Sequence, residues 1–560
     1  MVKMSGAEAF VKSLERENVD IMFGVSGGAV LPICDELYNS DIRFVLARHE
    51  QGASHMADGY ARASGSVGVC LATSGPGATN LVTGIATANI DSSPVVAFTG
   101  QVYKSMIGSD AFQEVDIIGI TASATKYNIP VTSPSEIPGA VKSAFYIAST
   151  GRQGAVLVDI PKDTQIESGD MVFPDAVSFR GYNLNLTPNP REMDWAATLL
   201  AKANRPVILA GGGVIAANAS HELVELATLL GAPVATTLMG KGSIPSDHPL
   251  SAGLCGMHGT GTSNMLVSEA DVLLVVGARM SDRTTANVGE FGNNTKVVHI
   301  DIDSSEIDKN VESVTRVIGD AKLSIQGIKG RMSKVLQGSK SEEWLKRMHY
   351  FRKEYAVPDV PGNPHMKATA VMRALRGALP REAIVTTEVG QNQMWAALYF
   401  DVYGPRTFFS SGGLGTMGWG FPAAIGVKAA RPDVPVVDIA GDGSFGMTEN
   451  NLATCVEDDL PVIVLVLNNR MLGMVAQWQR LFYGRRYKAV ELGSTPDFVK
   501  LAEAYGAVGV RPETISDVEE AVKQAVKEDM TMVIDVPIDP EDNVFPMVPS
   551  GKGLTDLILE

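Results

Sequence analysis

The chain has 560 residues, 45% hydrophobic and 20% charged, a globular composition too long for one hydrophobic core, so several domains are expected. Forty-seven Lys and Arg against 63 Asp and Glu leave a net charge of −16, which excludes a nucleic-acid or anionic-membrane partner and favours a small-molecule substrate. The four cysteines, Cys34, Cys70, Cys255 and Cys455, are far apart with no Cys-x-x-Cys, excluding a disulfide framework or zinc knuckle and fitting a reducing cytoplasm.

Along the chain, the N-terminus mixes charges into its apolar positions and lacks the apolar core of a signal peptide. Ser5-Gly-Ala-Glu8 reads as a capping box opening a first helix, and DIMFGV after it as a strand. This rhythm of strand, glycine turn and helix recurs and implies parallel sheets. A first block, 1–165, closes with GAVLVDIPKD (154–163), and the aperiodic, proline-bearing stretch after it reads as a linker. A second block, 190–335, opens with RPVILAGGGV and contains HIDIDSSEI (299–307). A charged helix and a proline-rich stretch over 340–364 read as a connector to a third block, 365–545. The expected fold is α/β: three doubly wound parallel-sheet domains, with ligands at glycine-rich turns after the strands. The longest apolar runs, such as LPVIVLVL (460–467), are far too short to span a membrane.

The sharpest motif is GDGSFGMTENNLATCVEDDLPVIVLVLNN, 441–469. VPVVDIA and LPVIVLVL read as central strands, placing Asp442 and Asn469 at neighbouring strand ends. A carboxylate and an amide oxygen are hard ligands suited to Mg²⁺, which is usually shared with phosphates. Gly441 and Gly443 let backbone amides approach a diphosphate. A lone Gly-Asp-Gly is more often a plain turn; the strand context and the spacing to Asn469 reverse those odds. This pattern resembles the diphosphate signature of thiamin enzymes. Such an enzyme also needs a carboxyl group against the aminopyrimidine ring. Glu50 in RHEQGASHMADGYARASG (48–65) is the candidate; alone, it would read as a helix-initiating acid. His49 and His55 also flank Glu50, but six residues apart they do not share a helical face, so zinc is rejected.

Taken with FGVSGGAVLP, LATSGPGATNLVTGIA, GSDAFQEVDIIGIT, TKYN, SGGLGTMGWGFPAAIG, LGMVAQWQ and FPMVPSGKG, the chain resembles over almost its whole length the FAD-containing acetohydroxyacid synthase (acetolactate synthase) family of thiamin diphosphate enzymes. The resemblance implies decarboxylation of pyruvate and carboligation to pyruvate or 2-ketobutyrate, giving 2-acetolactate or 2-aceto-2-hydroxybutyrate for branched-chain amino acids. By resemblance, Glu50 activates the cofactor, and Gly28, Phe112, Gln113 and Lys126 face the reacting carbons. Gln391, Asn392, Gly415, Gly441, Gly443 and Ser444 border the diphosphate, and Met417 wedges between the cofactor's rings. Asp442, Asn469 and the Met471 carbonyl hold Mg²⁺. Arg152, Gly212, Thr237, Leu238, His258, Arg279, Asp301 and Asp320 match the flavin domain, although GGGVIA alone is a weak nucleotide signal. Arg283, Met474, Val475 and Trp478 match the substrate entrance and acceptor pocket; without LGMVAQ, Trp478 would read as ordinary core.

Ser26, Glu388 and Asn392 depart from the family's more usual proline, aspartate and histidine. Gly24-Val-Ser-Gly-Gly28 formally matches a serine-hydrolase elbow, but residue 26 leaves no room for the strands that must precede one. The alternative within the class is a sibling such as a pyruvate oxidase. The two ends of the cofactor fall to the first and third blocks, which in this family meet across a subunit interface, so a homodimer or homotetramer is expected. No regulatory domain follows the third block, so any regulation would use a separate small subunit.

Overall fold

The computed structural model describes residues 2–182, 184, 186–332, 342–356 and 366–559. Three six-stranded sheets carry the fold, and every strand pairing within them is parallel. The first comprises Ile21–Gly24, Arg43–Leu46, Gly68–Ala72, Val95–Gln101, Tyr127–Pro130 and Val156–Pro161. Numbered in chain order, these lie side by side as 2-1-3-4-6-5. The third sheet, Ile384–Thr387, Phe408–Ser410, Val436–Gly441, Ile463–Asn468, Val508–Val510 and Met532–Pro537, repeats that order. The middle sheet runs from Pro206–Ala210 to Thr315–Ile318 in the order 3-2-1-4-5-6, that of dinucleotide-binding sheets. Strands such as Val272–Val276 and Val95–Gln101 are buried at every residue, as aliphatic runs covered on both faces must be.

Two readings need correction. Ser5 Oγ does accept from Glu8 N at 3.0 Å, but the reciprocal half of the capping box is missing because Glu8 pairs with Lys12 one turn later. The stretch after 165 is not all linker. Ser168–Met171 pairs antiparallel with Val2–Ser5, a short edge pairing that hydrophobic periodicity does not reveal. The connector helix is present as Glu342–Glu354, while its proline-rich continuation and the limits at 335 and 365 lie outside the described residues.

The first and third sheets meet through one helix each. Glu50–Ser64 follows the second strand of the first sheet, and Gly420–Ala430 the second strand of the third. Their contact is backbone on backbone: a Cβ at Gly59 would lie 2.1 Å from Ala423 O, and one at Gly426 1.8 Å from Met56 O. Glycine is required at both crossings because no side chain fits.

Candidate active site

Asp442 and Asn469 sit where the third sheet's central strands end. The register Gly441↔Leu467 sets the two loops side by side, and the Arg470 amide hydrogen-bonds the Asp442 carboxylate. Burial pushes the Asp442 carboxyl up to about 7, with the amides of Asp442, Gly443 and Arg470 pulling the other way. An acid this desolvated gains from a cation. Asn469 is aimed by neighbours: its Nδ2 donates to Gln391 Oε1 at 3.1 Å and its Oδ1 accepts from Met471 N at 3.1 Å. Gln391 is itself fixed by donating to Gln477 Oε1 and Asp542 O. Gln391 therefore braces Asn469 in a layer behind it. Asn392 donates to Glu388 O and Ile439 O, leaving its Oδ1 toward the turns at Gly390 and Gly441. Ser444 closes the turn, its hydroxyl donating to Gly441 O at 3.2 Å. Among the described residues no group of three or more His, Cys, Asp or Glu could hold a metal. One carboxylate, one amide oxygen and one carbonyl suit a Mg²⁺ that takes its remaining ligands from diphosphate oxygens and water.

Glu50 opens its helix, with His49 capping Gln51 N, and accepts from Asn80 Nδ2 at 2.9 Å. A Cβ on Gly77 would lie 3.3 Å from Glu50 Oε1, and one on Gly75 2.8 Å from Gln113 O, so these glycines let the Gln113 loop and the Glu50 carboxylate converge. Gln113 holds a positive φ of 63°, Phe112 is 88% exposed, and nothing lies within 4 Å of a Cβ on Gly28. This end of the site is thus an open face. Lys126 does not join it. Its ammonium donates to Ile147 O, Thr150 O and Tyr182 Oη, with burial lowering its pKa, so within one chain it ties down the end of the helix Ile137–Ser149.

A cavity of about 850 Å³ opens between the blocks. Arg152, Gly212, Thr237, Leu238, His258, Arg279, Asp301 and Asp320 all line it, as do Arg283, Gly415, Met417, Met474, Val475 and Trp478. Gly211 and Gly213 serve close packing, since a Cβ on either would strike Gly277 at 2.2 and 2.7 Å. They bring the ends of adjacent strands 1 and 4 of the middle sheet together at its switch point. His258 is buried, lowered to about 4 by desolvation and Arg283, and its Nδ1 has no protein partner. Burial raises Asp301 to about 6. A polar ligand large enough to span these groups fits the cavity. Met474, Val475 and Trp478 share one face of the helix Gly473–Phe482, while the buried Gln477 holds Val544 through both its amide atoms.

Met417 joins this cavity to the diphosphate turn, its Cε lying 3.9 Å from a Cβ built on Gly443. Glu388 does not touch the diphosphate turn. It accepts from Gly418 N at 2.7 Å and Phe421 N at 3.0 Å, capping the helix that follows. Buried Asp438 alongside, with Oδ2 unpartnered, is pushed well above the carboxylate range by burial and by Glu388, and burial raises Glu388 to about 7 against the pull of the amides it accepts from. The sequence reading missed this acid pair and the ion cluster of Asp58, Arg62 and Asp91 described below; the i, i+4 spacing of Asp58 and Arg62 on one helix is the signal that was available.

Residues 4–120, 193–328 and 388–536 match the N-terminal TPP binding, central, and C-terminal TPP binding domains of the Thiamine pyrophosphate enzyme families. The fold and site therefore define a thiamin pyrophosphate enzyme. Over 99% of its length the chain is 48% identical to the probable acetolactate synthase large subunit of Methanocaldococcus jannaschii, covering 95% of that protein. The Corynebacterium glutamicum acetolactate synthase large subunit is 44% identical over 99% of this chain and 90% of its own, and the Escherichia coli isozyme 3 large subunit 43% over 100% and 99%. The chain belongs to the acetolactate synthase large subunit family.

Proposed function

We propose that the protein decarboxylates pyruvate and joins the two-carbon unit to a second 2-keto acid, pyruvate or 2-ketobutyrate, for branched-chain amino acid synthesis, with blocks 1–165, 190–335 and 365–545 as its domains. The observation that carries this reading is the placement of Asp442 and Asn469 at adjacent strand ends, with Met417 overhead and Trp478 in the adjoining cavity. Bound thiamin diphosphate supplies the nucleophilic carbon. Asp442, Asn469 and the Met471 carbonyl hold its Mg²⁺; Gln391 orients Asn469, and the turn at Gly441, Gly443 and Ser444 offers amides to the phosphates. Glu50 holds the proton exchanged with the aminopyrimidine ring. Phe112, Gln113 and Gly28 cover the reacting carbons and exclude water, Arg283 attracts the keto-acid carboxylate, and Trp478 shapes the acceptor pocket. The cavity's polar lining and unpartnered His258 support FAD there, in a structural role.

Within one chain Glu50 meets Asn80, not Asp442, and the cavity includes neither acid. Each site is therefore completed by Glu50 of a second copy, making a homodimer the smallest active form. The relatives' designation as large subunits supports a separate small regulatory partner. Purified protein with Mg²⁺, thiamin diphosphate and FAD, given pyruvate and 2-ketobutyrate together, should yield acetolactate and acetohydroxybutyrate by mass spectrometry. Trp478→Leu should shift their ratio toward acetolactate. Acetate, acetyl phosphate or acetaldehyde as the main product would overturn the carboligase reading in favour of a sibling such as a pyruvate oxidase.

A further inference from the structure

The loop from Ser411 to Gly418 carries Met417 and is gripped from the first block as well as from its own. Asp91, whose side chain is 0% exposed, accepts from Gly413 N at 2.7 Å through Oδ1 and from Gly412 N at 3.2 Å through Oδ2. One turn earlier on the same helix, Val82–Ile90, the Thr87 hydroxyl meets the Thr416 hydroxyl at 2.7 Å. Thr416 N in turn donates to Ser411 Oγ. Three of the five residues before Met417 are thus registered on one helix end.

Asp91 is held in place by Arg62, which donates to Asp91 Oδ2 at 3.1 Å and to both oxygens of Asp58 at 2.7 and 2.8 Å. The guanidinium also donates to Ser410 O, and Asp58 Oδ2 accepts from Trp419 Nε1, so the cluster touches the chain on both sides of the loop. Arg279 approaches from the middle block, its Nη2 and Asp91 Oδ1 lying 2.9 and 2.5 Å from a Cβ built on Gly413.

Local energetics do not explain an acid here. Asp91 caps the C-terminus of its helix, where the dipole disfavours a negative charge. The next residue, Ser92, takes a positive φ of 59° that glycine would adopt more cheaply. Two local rules are broken at one point, and what is gained in return is the grip on Gly412 and Gly413. Arg62, Asp58 and Trp419 would still join the blocks without Asp91.

We propose that Asp91 is a positioning residue that sets Met417 over the diphosphate turn, so that the first block of each chain places the wedge in its own chain's third block. The proposal rests on the thiamin reading of the Met417 loop. Asp91→Asn keeps the size but removes the charge and one acceptor from the two loop amides. Gly413→Ala leaves the charge and inserts a methyl against Ile90 and Asp91, lifting the same loop if Asp91→Asn fails to fold. Val141→Ala, in the opposite apolar layer of the first sheet, controls for lost stability alone.

With Mg²⁺ and thiamin diphosphate bound, each loop variant should lower kcat about ten-fold or more while the pyruvate KM stays within about two-fold. Each should also weaken the circular-dichroism band of the bound cofactor's imino tautomer. Val141→Ala should lower the melting temperature and leave kcat and the band intact. Loop variants that retain the wild-type band and kcat, or a Val141→Ala variant that loses both in proportion to its melting temperature, would overturn the assignment. Absence of both the band and acetolactate from the wild-type protein would instead remove the functional reading and this proposal together.

Discussion

Gly426→Ala should destabilise the protein although alanine is the better helix former. The added methyl would meet Met56 O at 1.8 Å, Met56 C at 2.7 Å and Tyr60 N at 2.9 Å, all of them backbone atoms that cannot rotate away. Reaching ordinary contact near 3.4 Å takes about 1.5 Å of separation between the helices Glu50–Ser64 and Gly420–Ala430, enough to forfeit much of their dispersion contact. Overpacking of this kind costs roughly 1–3 kcal/mol, and the lost interface adds to it. The gain in helix propensity offsets about 1 kcal/mol. Overpacking less propensity leaves a loss of roughly 0–2 kcal/mol, which the forfeited interface contact increases. Gly377→Ala is the matched control, because Gly377 lies in the helix Ala368–Ala378 with nothing within 4 Å of its Cβ position, and it should gain about 0.5–1 kcal/mol. Urea unfolding followed by tryptophan fluorescence, to which fully buried Trp419 contributes, measures both. If Gly426→Ala proves as stable as the wild type while Gly377→Ala gains, the close-contact reasoning is wrong.

Glu50→Gln preserves the bond to Asn80, so thiamin diphosphate should bind within a few-fold of normal while turnover falls by about 100-fold or more; near-normal turnover would remove Glu50 from its role. Asp442→Ala should weaken Mg²⁺-dependent binding of thiamin diphosphate by about 10–100-fold, read by titration of the cofactor, and an unchanged affinity would sink the metal assignment. Asp159, accepting from Thr99 and Gln101, is raised by burial from 3.8 to about 7. Between about pH 4 and 7 the folded state keeps a proton that the unfolded state releases, so this group lowers stability as pH rises, by at most about 4 kcal/mol. Asp159→Asn should therefore flatten the fall in melting temperature between about pH 4 and 7, and an unaltered slope would show that Asp159 is not its source.

The strands that sequence made plain are those buried on both faces. Val436–Gly441 and Ile463–Asn468 announce themselves as aliphatic runs, and Asp442 and Asn469 follow from where those runs stop. Ser168–Met171 stayed hidden because a four-residue edge pairing with the N-terminus carries no hydrophobic period. Glu50 was legible only through the chemistry that a thiamin enzyme needs, since an acid in a helix's first turn is otherwise unremarked. The setting of Lys126 was hidden for the opposite reason: a motif names a residue type, whereas the acceptors that claim its ammonium, Ile147 O and Thr150 O, come from a helix end some twenty residues on. Asp91, Arg62 and the bonds that Glu388 accepts escaped notice because buried charges are specified by partners remote in the chain, such as Gly413 and Phe421.

The first and third sheets share one strand order, and the helices through which they touch occupy the same place in each. In effect the chain encloses two versions of one module, tied through the middle block. A tether of this kind gives a high effective concentration, so the two modules stay together however dilute the protein becomes. In the proposed homodimer, the encounter between Glu50 of one chain and Asp442 of another has no tether and obeys mass action. On dilution, activity should therefore vanish at a concentration where the paired helices, and the loop that Asp91 grips, are still fully formed.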